Sequence, residues 1–253
     1  MFICRLLRPL ATGGAGGVRL CSGWTVRETV ARLAGELEAA AVPEPETSAS
    51  HIVAHLMNET NVEKLSAGGG LASRVIEQSK RPLLEAMSAC RVSRMPVQYI
   101  VKMWDFRQIR LAMKPPVFIP RPETEQLVSL VLNKCNFRGC GGEKLRILEV
   151  GCGSGAISLS LLKEAPSDSI RVTAVDRSRL ACSLTMENAI LNDLWRNLSV
   201  LHAKVDEDGA MRKMAAEDGP DLSAAEPRFD VIVSNPPYVL RKDLRNLAPE
   251  ISV

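Results

Sequence analysis

From Thr25 onward, apolar side chains recur at helical spacing: Val26, Val30, Leu33 and Leu37 fall on one face. Thr25 and Glu28 make a capping box in front of them, since the Thr25 hydroxyl can accept from the Glu28 N–H while the Glu28 carboxylate reaches back. Pro43 and Pro45 are expected to stop this helix. A second helix is expected from about Ser48, with Ile52, Val53, Leu56 and Met57 on one face. Gly68-Gly69-Gly70 breaks the pattern, and Pro82 suits the first turn of a further helix carrying Leu83, Leu84 and Met87. Residues 23–95 therefore read as a small helical bundle.

The texture then changes. Val97 to Leu111 alternates and is rich in β-formers (Tyr99, Ile100, Trp104, Phe106, Ile109), which predicts one or two strands. Pro115, Pro116, Pro120 and Pro122 follow as a stiff extended linker, so residues 96–125 are expected to be a hairpin and a proline-rich connection. A helix restarts over Thr124 to Leu132. From Leu145 the order is strand, glycine-rich turn, helix, strand, the mark of a parallel α/β sheet over residues 126–253. The chain has no internal repeat.

Composition narrows the class. Of 253 residues, 46% are apolar and 24% charged, as in a globular protein rather than a disordered one. The net charge of +3 does not argue for a nucleic-acid partner. No apolar run reaches the roughly 18 residues of a membrane helix. The seven cysteines are odd in number and form no CxxC pair, which argues against a disulfide framework or a zinc site and for a reducing compartment. Cys135 and Cys140 have no second ligand pair at a sensible spacing. His51, His55 and Glu59 lie a turn apart on one helix and read as a polar stripe, so no metal is expected. Residues 1–22 carry Arg5, Arg8 and Arg19, an apolar face of Leu6, Leu7 and Leu10, and no acid, which reads as an organelle transit peptide.

Two loops carry candidate chemistry. Leu145 to Val150 is a buried-type strand that runs straight into Gly151-Cys152-Gly153-Ser154-Gly155 and then a helix over Ala156 to Lys163. Glycines let the backbone turn sharply and let a ligand press against it. The next strand, Ile170 to Val175, ends in Asp176, about 20 residues past the glycines, where a carboxylate can accept from ribose hydroxyls. Gly151, Gly153 and Ala156 also satisfy a dinucleotide pattern. Glu149 tilts the balance towards S-adenosylmethionine, whose cationic groups tolerate a carboxylate better than a pyrophosphate does.

Phe229 to Ser234 is another buried strand, with Asn235-Pro236-Pro237-Tyr238 at its carboxyl end, the edge where open α/β sheets bind ligands. The double proline removes two N–H donors and stiffens the turn. The Asn235 side chain and the Pro236 carbonyl offer two acceptors for a planar NH2 group, and Tyr238 offers a flat face to pack on it. An amide nitrogen is a poor nucleophile, so holding it in line and stabilising the charge that grows on it is the catalysis available.

Here the sequence resembles the HemK/PrmC family of protein-(glutamine-N5) methyltransferases, which modify the GGQ motif of peptide-chain release factors. The resemblance covers about residues 24–250. It rests on Arg94-Met95-Pro96-Val97-Gln98-Tyr99-Ile100, Trp104-Asp105-Phe106, Ile119-Pro120-Arg121-Pro122-Glu123-Thr124-Glu125, the run from Leu148 to Gly155, and the run from Ile232 to Tyr238. It implies an α/β, Rossmann-like S-adenosylmethionine-dependent methyltransferase sheet preceded by a helical substrate-recognition domain. The implied cofactor set is Glu149, Gly151, Cys152, Gly153, Ser154, Gly155, Asp176 and the bordering Asn235; the implied catalytic set is Asn235, Pro236, Pro237 and Tyr238. It further implies a release factor's GGQ domain as partner, with no membrane or direct nucleic-acid partner. With the acid-free start, the chain looks like a mitochondrial member. It departs from the family pattern at three places. Val101-Lys102-Met103 replaces a glycine-bearing turn, and Ala203-Lys204, with Asp206 beyond, replaces an acid beside the adenine. The family's last, C-terminal strands are expected after Glu250-Ile251 and are missing from the chain. The rival readings are an adenine-N6 nucleic-acid methyltransferase, whose target is also a planar NH2, and a non-catalytic truncated isoform that binds a partner through its helices.

Overall fold

The computed structural model describes residues 23–66, 70–135, 137, 143–214 and 228–236. The transit-like start, Gly68, Gly69, Cys140, Pro237, Tyr238 and everything after them lie outside these residues.

Helix α1 (Val26–Ala39) opens on the expected capping box: Thr25 Oγ1 accepts from Glu28 N at 3.2 Å and the Glu28 carboxylate accepts from Thr25 N at 2.8 Å. Val26, Leu33 and Leu37 are buried. Pro45 does not stop this helix; α1 ends earlier, and Pro45 opens α2 (Pro45–Leu56), where its missing N–H costs nothing. After the short α3 (Glu63–Ser66) comes α4 (Arg81–Val92), with Pro82 in its first turn and Leu84 and Met87 buried. Leu83 faces solvent. These helices enclose one apolar core.

The expected strand over Val97–Val101 is instead helix α5 (Val97–Val101). Pro96 is its N-cap, and Val97, Ile100 and Val101 fall at i, i+3 and i+4 into the helical core. Tyr99 points the other way into the sheet core, and its hydroxyl donates to the Val117 carbonyl at 2.8 Å. A short run buried on both sides loses the polar alternation that separates strand from helix, so tertiary packing decides.

Lys102 closes α5 with φ 62°, a left-handed conformation for which the family's glycine is suited. That conformation costs a side-chain-bearing residue ~1–2 kcal/mol. The extra unfolded-chain entropy of glycine is worth ~0.4–1 kcal/mol in the opposite direction. Lys102→Gly is therefore expected to stabilise the chain by about 0.5–1 kcal/mol, read as a higher urea midpoint. An unchanged or lower midpoint would mean that the lysine side chain contributes more than its backbone costs.

Strands β1 (Met103–Phe106) and β2 (Ile109–Ala112) form the antiparallel hairpin. Helix α6 spans Pro122–Lys134, so the proline-rich connection ends at Arg121 and the expected boundary at 126 falls inside a helix. Pro122 begins that helix instead of belonging to the linker. Then come β3 (Leu145–Val150), α7 (Ala156–Glu164), β4 (Ile170–Asp176), α8 (Arg179–Leu191), β5 (Leu198–Val205), β6 (Met211–Lys213) and β7 (Val231–Ser234). The sheet order is β6-β5-β4-β3-β7, with β6 antiparallel and the others parallel. This is the α/β, Rossmann-like arrangement. One sheet face packs Ile147, Val172, Ala174 and Val233 against α7 and the hairpin; the other carries Leu148, Val175 and Ala203. Among the described residues no helix is long and apolar enough to cross a membrane.

Two polar ties fix the hairpin against the sheet. Arg107 at its turn forms a two-pronged ion pair with Glu164 at the end of α7, at 2.6 and 2.7 Å. The fully buried Asn188 of α8 accepts from Ala112 N at 2.6 Å and donates to the Ser154 carbonyl at 2.9 Å. Asn188 thus joins β2 to the glycine loop.

Candidate active site

The glycine loop is tied down from below. Gly151 N and Cys152 N donate to the Val175 carbonyl at 2.8 and 3.1 Å. Gly153 N donates to Asp176 Oδ2 at 3.0 Å, and Thr185 Oγ1 donates to the Gly153 carbonyl at 3.1 Å. Gly151, Gly153 and Gly155 have φ of 78°, 55° and 82°, a region that only glycine enters cheaply. They do different work. Among the described residues, a Cβ on Gly151 would meet nothing within 4 Å, and one on Gly153 only Val117 Cγ1 at 4.0 Å. A Cβ on Gly155 would lie 2.9 Å from Thr185 Cγ2. Gly155 therefore lets α8 close on α7, whereas Gly151 and Gly153 leave bare backbone facing open space among the described residues. The Cys152 and Ser154 side chains are buried, so their main chains are what a ligand can reach. The Cys152 thiol is pushed up by its hydrogen bond with Cys182 and by burial, and stays neutral.

Glu149 is not the open charge partner that its place before the glycines suggested. It is 1% exposed, and one carboxyl oxygen accepts from both the Ser158 N–H, at 3.0 Å, and the Ser158 hydroxyl. It braces the first turn of α7 under the loop. Burial pushes its carboxyl up to about 8, against the two Ser158 hydrogen bonds and with help from the charge of Asp176. The folded state thus favours the neutral acid. Its contribution to stability is fully present below about 4.5, the ordinary value, and is lost as pH rises through about 8. Melting of the free chain is expected to fall across that window, and Glu149→Gln to remove that part of the slope. An unchanged slope in the glutamine variant would mean that Glu149 is ionised throughout.

Asp176 stands half-buried at the end of β4. Its two oxygens accept from Gly153 N and, at 2.8 Å, from Ser178 N. Each oxygen keeps a lone pair for a further donor. At the end of β5, where the resemblance implies the adenine and the chain departs from the family pattern, Asp206 is held by Lys204 Nζ at 2.8 Å and by Arg212 across the β5–β6 hairpin, and both ion pairs occupy it. His202, which carried no signal in the sequence, lies opposite Asp176 in the β4–β5 register, with Nε2 against the Arg177 carbonyl at 3.2 Å and a buried Nδ1 without a hydrogen-bond partner among the described residues.

The parallel β3–β7 register sets Val150 opposite Ser234, and Ser234 Oγ donates to the Val150 carbonyl at 2.7 Å. Asn235 and Pro236 follow, both exposed, at the sheet edge that holds the glycine loop. Asn235 Nδ2 donates to Thr124 Oγ1, 3.1 Å away in the first turn of α6. Thr124 belongs to the Ile119–Glu125 run but had no role assigned from sequence. Pro237 and Tyr238 lie outside the described residues. Away from this edge, His51 packs on Trp104 with ring centroids 4.6 Å apart, and His55 lines the same cleft. Among the described residues no three His, Cys, Asp or Glu side chains come together as a metal site.

A mostly parallel sheet with a glycine-rich loop at the end of one inner strand, and Asn235-Pro236 at the end of its neighbour, is the arrangement of a Rossmann-like methyltransferase domain. The "Methyltransferase small domain" family model matches residues 129–250. The chain is 40% identical over 248 residues to the human MTRF1L release factor glutamine methyltransferase, covering 96% of this chain and 66% of that protein. Against the release factor glutamine methyltransferase of Deinococcus radiodurans it is 31% identical over 226 residues, 89% of this chain and 71% of the relative. Against that of Fusobacterium nucleatum the figures are 30% over 214 residues, 83% and 52%. The chain belongs to the release factor glutamine methyltransferase family. It spans between about half and two thirds of the length of the human and Fusobacterium relatives.

Proposed function

We propose that the chain serves S-adenosylmethionine-dependent methylation of a glutamine side-chain nitrogen, in the GGQ motif of a peptide-chain release factor. The reading is carried by the β3–β7 register, which brings the bare glycine cradle and Asn235 to one sheet edge. S-adenosylmethionine, when bound, supplies a methyl group made electrophilic by a sulfonium. Gly151 and Gly153 would accept its close approach, and Asp176 has lone pairs for ribose hydroxyls. On the acceptor side, the Asn235 side-chain carbonyl and the Pro236 main-chain carbonyl each take one N–H of the glutamine NH2. That holds the nitrogen and steadies the positive charge growing on it. The nitrogen gains a carbon and gives up one proton, which needs no strong base if it leaves last.

The helices of residues 23–95 support a substrate-recognition role, and the acid-free stretch 1–22 supports a mitochondrial address. A fusion lacking residues 1–22 is expected to remain cytosolic; its import would overturn the address. The activity is tested with a labelled methyl donor offered to a release-factor GGQ domain, to the same domain with the glutamine replaced, and to a DNA duplex. Label only in the first is expected. Label in the duplex would replace the glutamine reading with the adenine one.

A further inference from the structure

Thr124 has no part in the reading above, yet it is 6% exposed and its hydroxyl meets the Asn235 side chain across 111 positions of sequence. Among the described residues it is the hydrogen-bond partner of that side chain. A carboxamide has an accepting end and a donating end, and turning it over exchanges them. Asn235 is exposed, so packing does not choose between the two. In the structure Nδ2 donates to Thr124 Oγ1 at 3.1 Å, so Oδ1 is the end left free. A hydroxyl can bond either end of an amide, so this contact fixes where the carboxamide lies, and the donors of the acceptor amide favour the arrangement with Oδ1 facing them. The reversed amide would set its NH2 against the NH2 of the acceptor glutamine, donor against donor.

We propose that Thr124 is a positioning residue that holds the Asn235 carboxamide with its oxygen towards the acceptor amide; this rests on the function proposed above. Thr124 is itself well anchored. Its N–H donates to the Arg121 carbonyl at 2.9 Å, and α6 is held in the core through Val128 and Val131. The same segment begins at Val117, whose Cγ1 lies 4.0 Å from where a Gly153 Cβ would be. Residues 117–124 thus run from the cofactor cradle to the catalytic amide and set the two in register.

The test uses Thr124→Val, which keeps the shape and loses the hydroxyl, and Thr124→Ser, which restores it. With a GGQ domain as acceptor, the valine variant is expected to lose about ten- to a hundredfold in kcat, the range for loss of an orienting outer partner. Affinity for S-adenosylmethionine should hold, and serine should recover the rate. A second readout needs no turnover: the Asn235 side-chain NH2 resonances of the full chain should shift and exchange faster in Thr124→Val and return in Thr124→Ser. Unchanged kcat or unchanged Asn235 resonances in the valine variant would overturn the proposal, as would a loss that serine fails to rescue. Full turnover in Asn235→Ala would instead sink the amide-clamp reading beneath it, which keeps the two failures apart.

Discussion

Gly153→Val is expected to abolish binding of S-adenosylmethionine while the sheet and α7 stay folded. Gly153 has φ 55°, and a side chain there costs ~1–2 kcal/mol of left-handed strain. Domains are stable by ~5–15 kcal/mol, so the fold survives. Among the described residues the new side chain would meet little protein: Val117 Cγ1, at 4.0 Å, is the one atom close to its Cβ. The branched carbons instead fill the space proposed above for the cofactor. Gly155→Val is the matched control with the opposite result. Its Cβ would come within 2.9 Å of Thr185 Cγ2 and 3.2 Å of Leu159 Cδ1, both held by α8 and α7, so the fold itself should fail. Calorimetric titration and thermal melting of both variants separate the two roles. Wild-type affinity in Gly153→Val, or normal melting with only binding lost in Gly155→Val, would show that the glycines have been assigned the wrong way round.

Much of this was readable along the chain because the signals are local. The Thr25–Glu28 box, the β3–glycine–α7 unit and the strand before Asn235 each announce themselves within a few residues. The failures have physical causes. Val97–Val101 is packed on two sides, which erases the polar face that marks a helix. The burial of Glu149 against Ser158 was not legible because a carboxylate in a sequence has no direction. Period-two alternation could have directed it, since Glu149 shares its face of β3 with Ile147, and that face is covered by α7. The pairing of Asp206 with Arg212 was equally out of reach, because only the β5–β6 hairpin brings the two together. Thr124 had no local signal at all: its hydroxyl acquires a meaning only when α6 and β7 meet.

Asn235→Ala is expected to cut methyl transfer to a GGQ domain by roughly a hundredfold or more, the scale for removing one preorganised polar contact at a reacting centre. Affinity for S-adenosylmethionine should change little, because the glycine cradle and Asp176 belong to β3 and β4 and keep their own hydrogen bonds. The fold should not suffer either. Asn235 is exposed, so truncation opens no core cavity, and its one tie among the described residues is the Thr124 hydroxyl, which solvent can replace. Loss of rate without loss of donor binding or melting temperature isolates the acceptor side of the site. The amide nitrogen has its lone pair drawn into its own carbonyl, so it attacks only if its plane is held and the charge it gains is met by an oxygen. In the proposed mechanism Pro236 would supply one such oxygen, from a main chain that mutation leaves in place, and Asn235 the other. Single-turnover label transfer at saturating donor reads this step alone. A rate within a few-fold of the unaltered chain would mean that the glutamine nitrogen is held by other groups, and Asn235 would then be a turn residue closing β7.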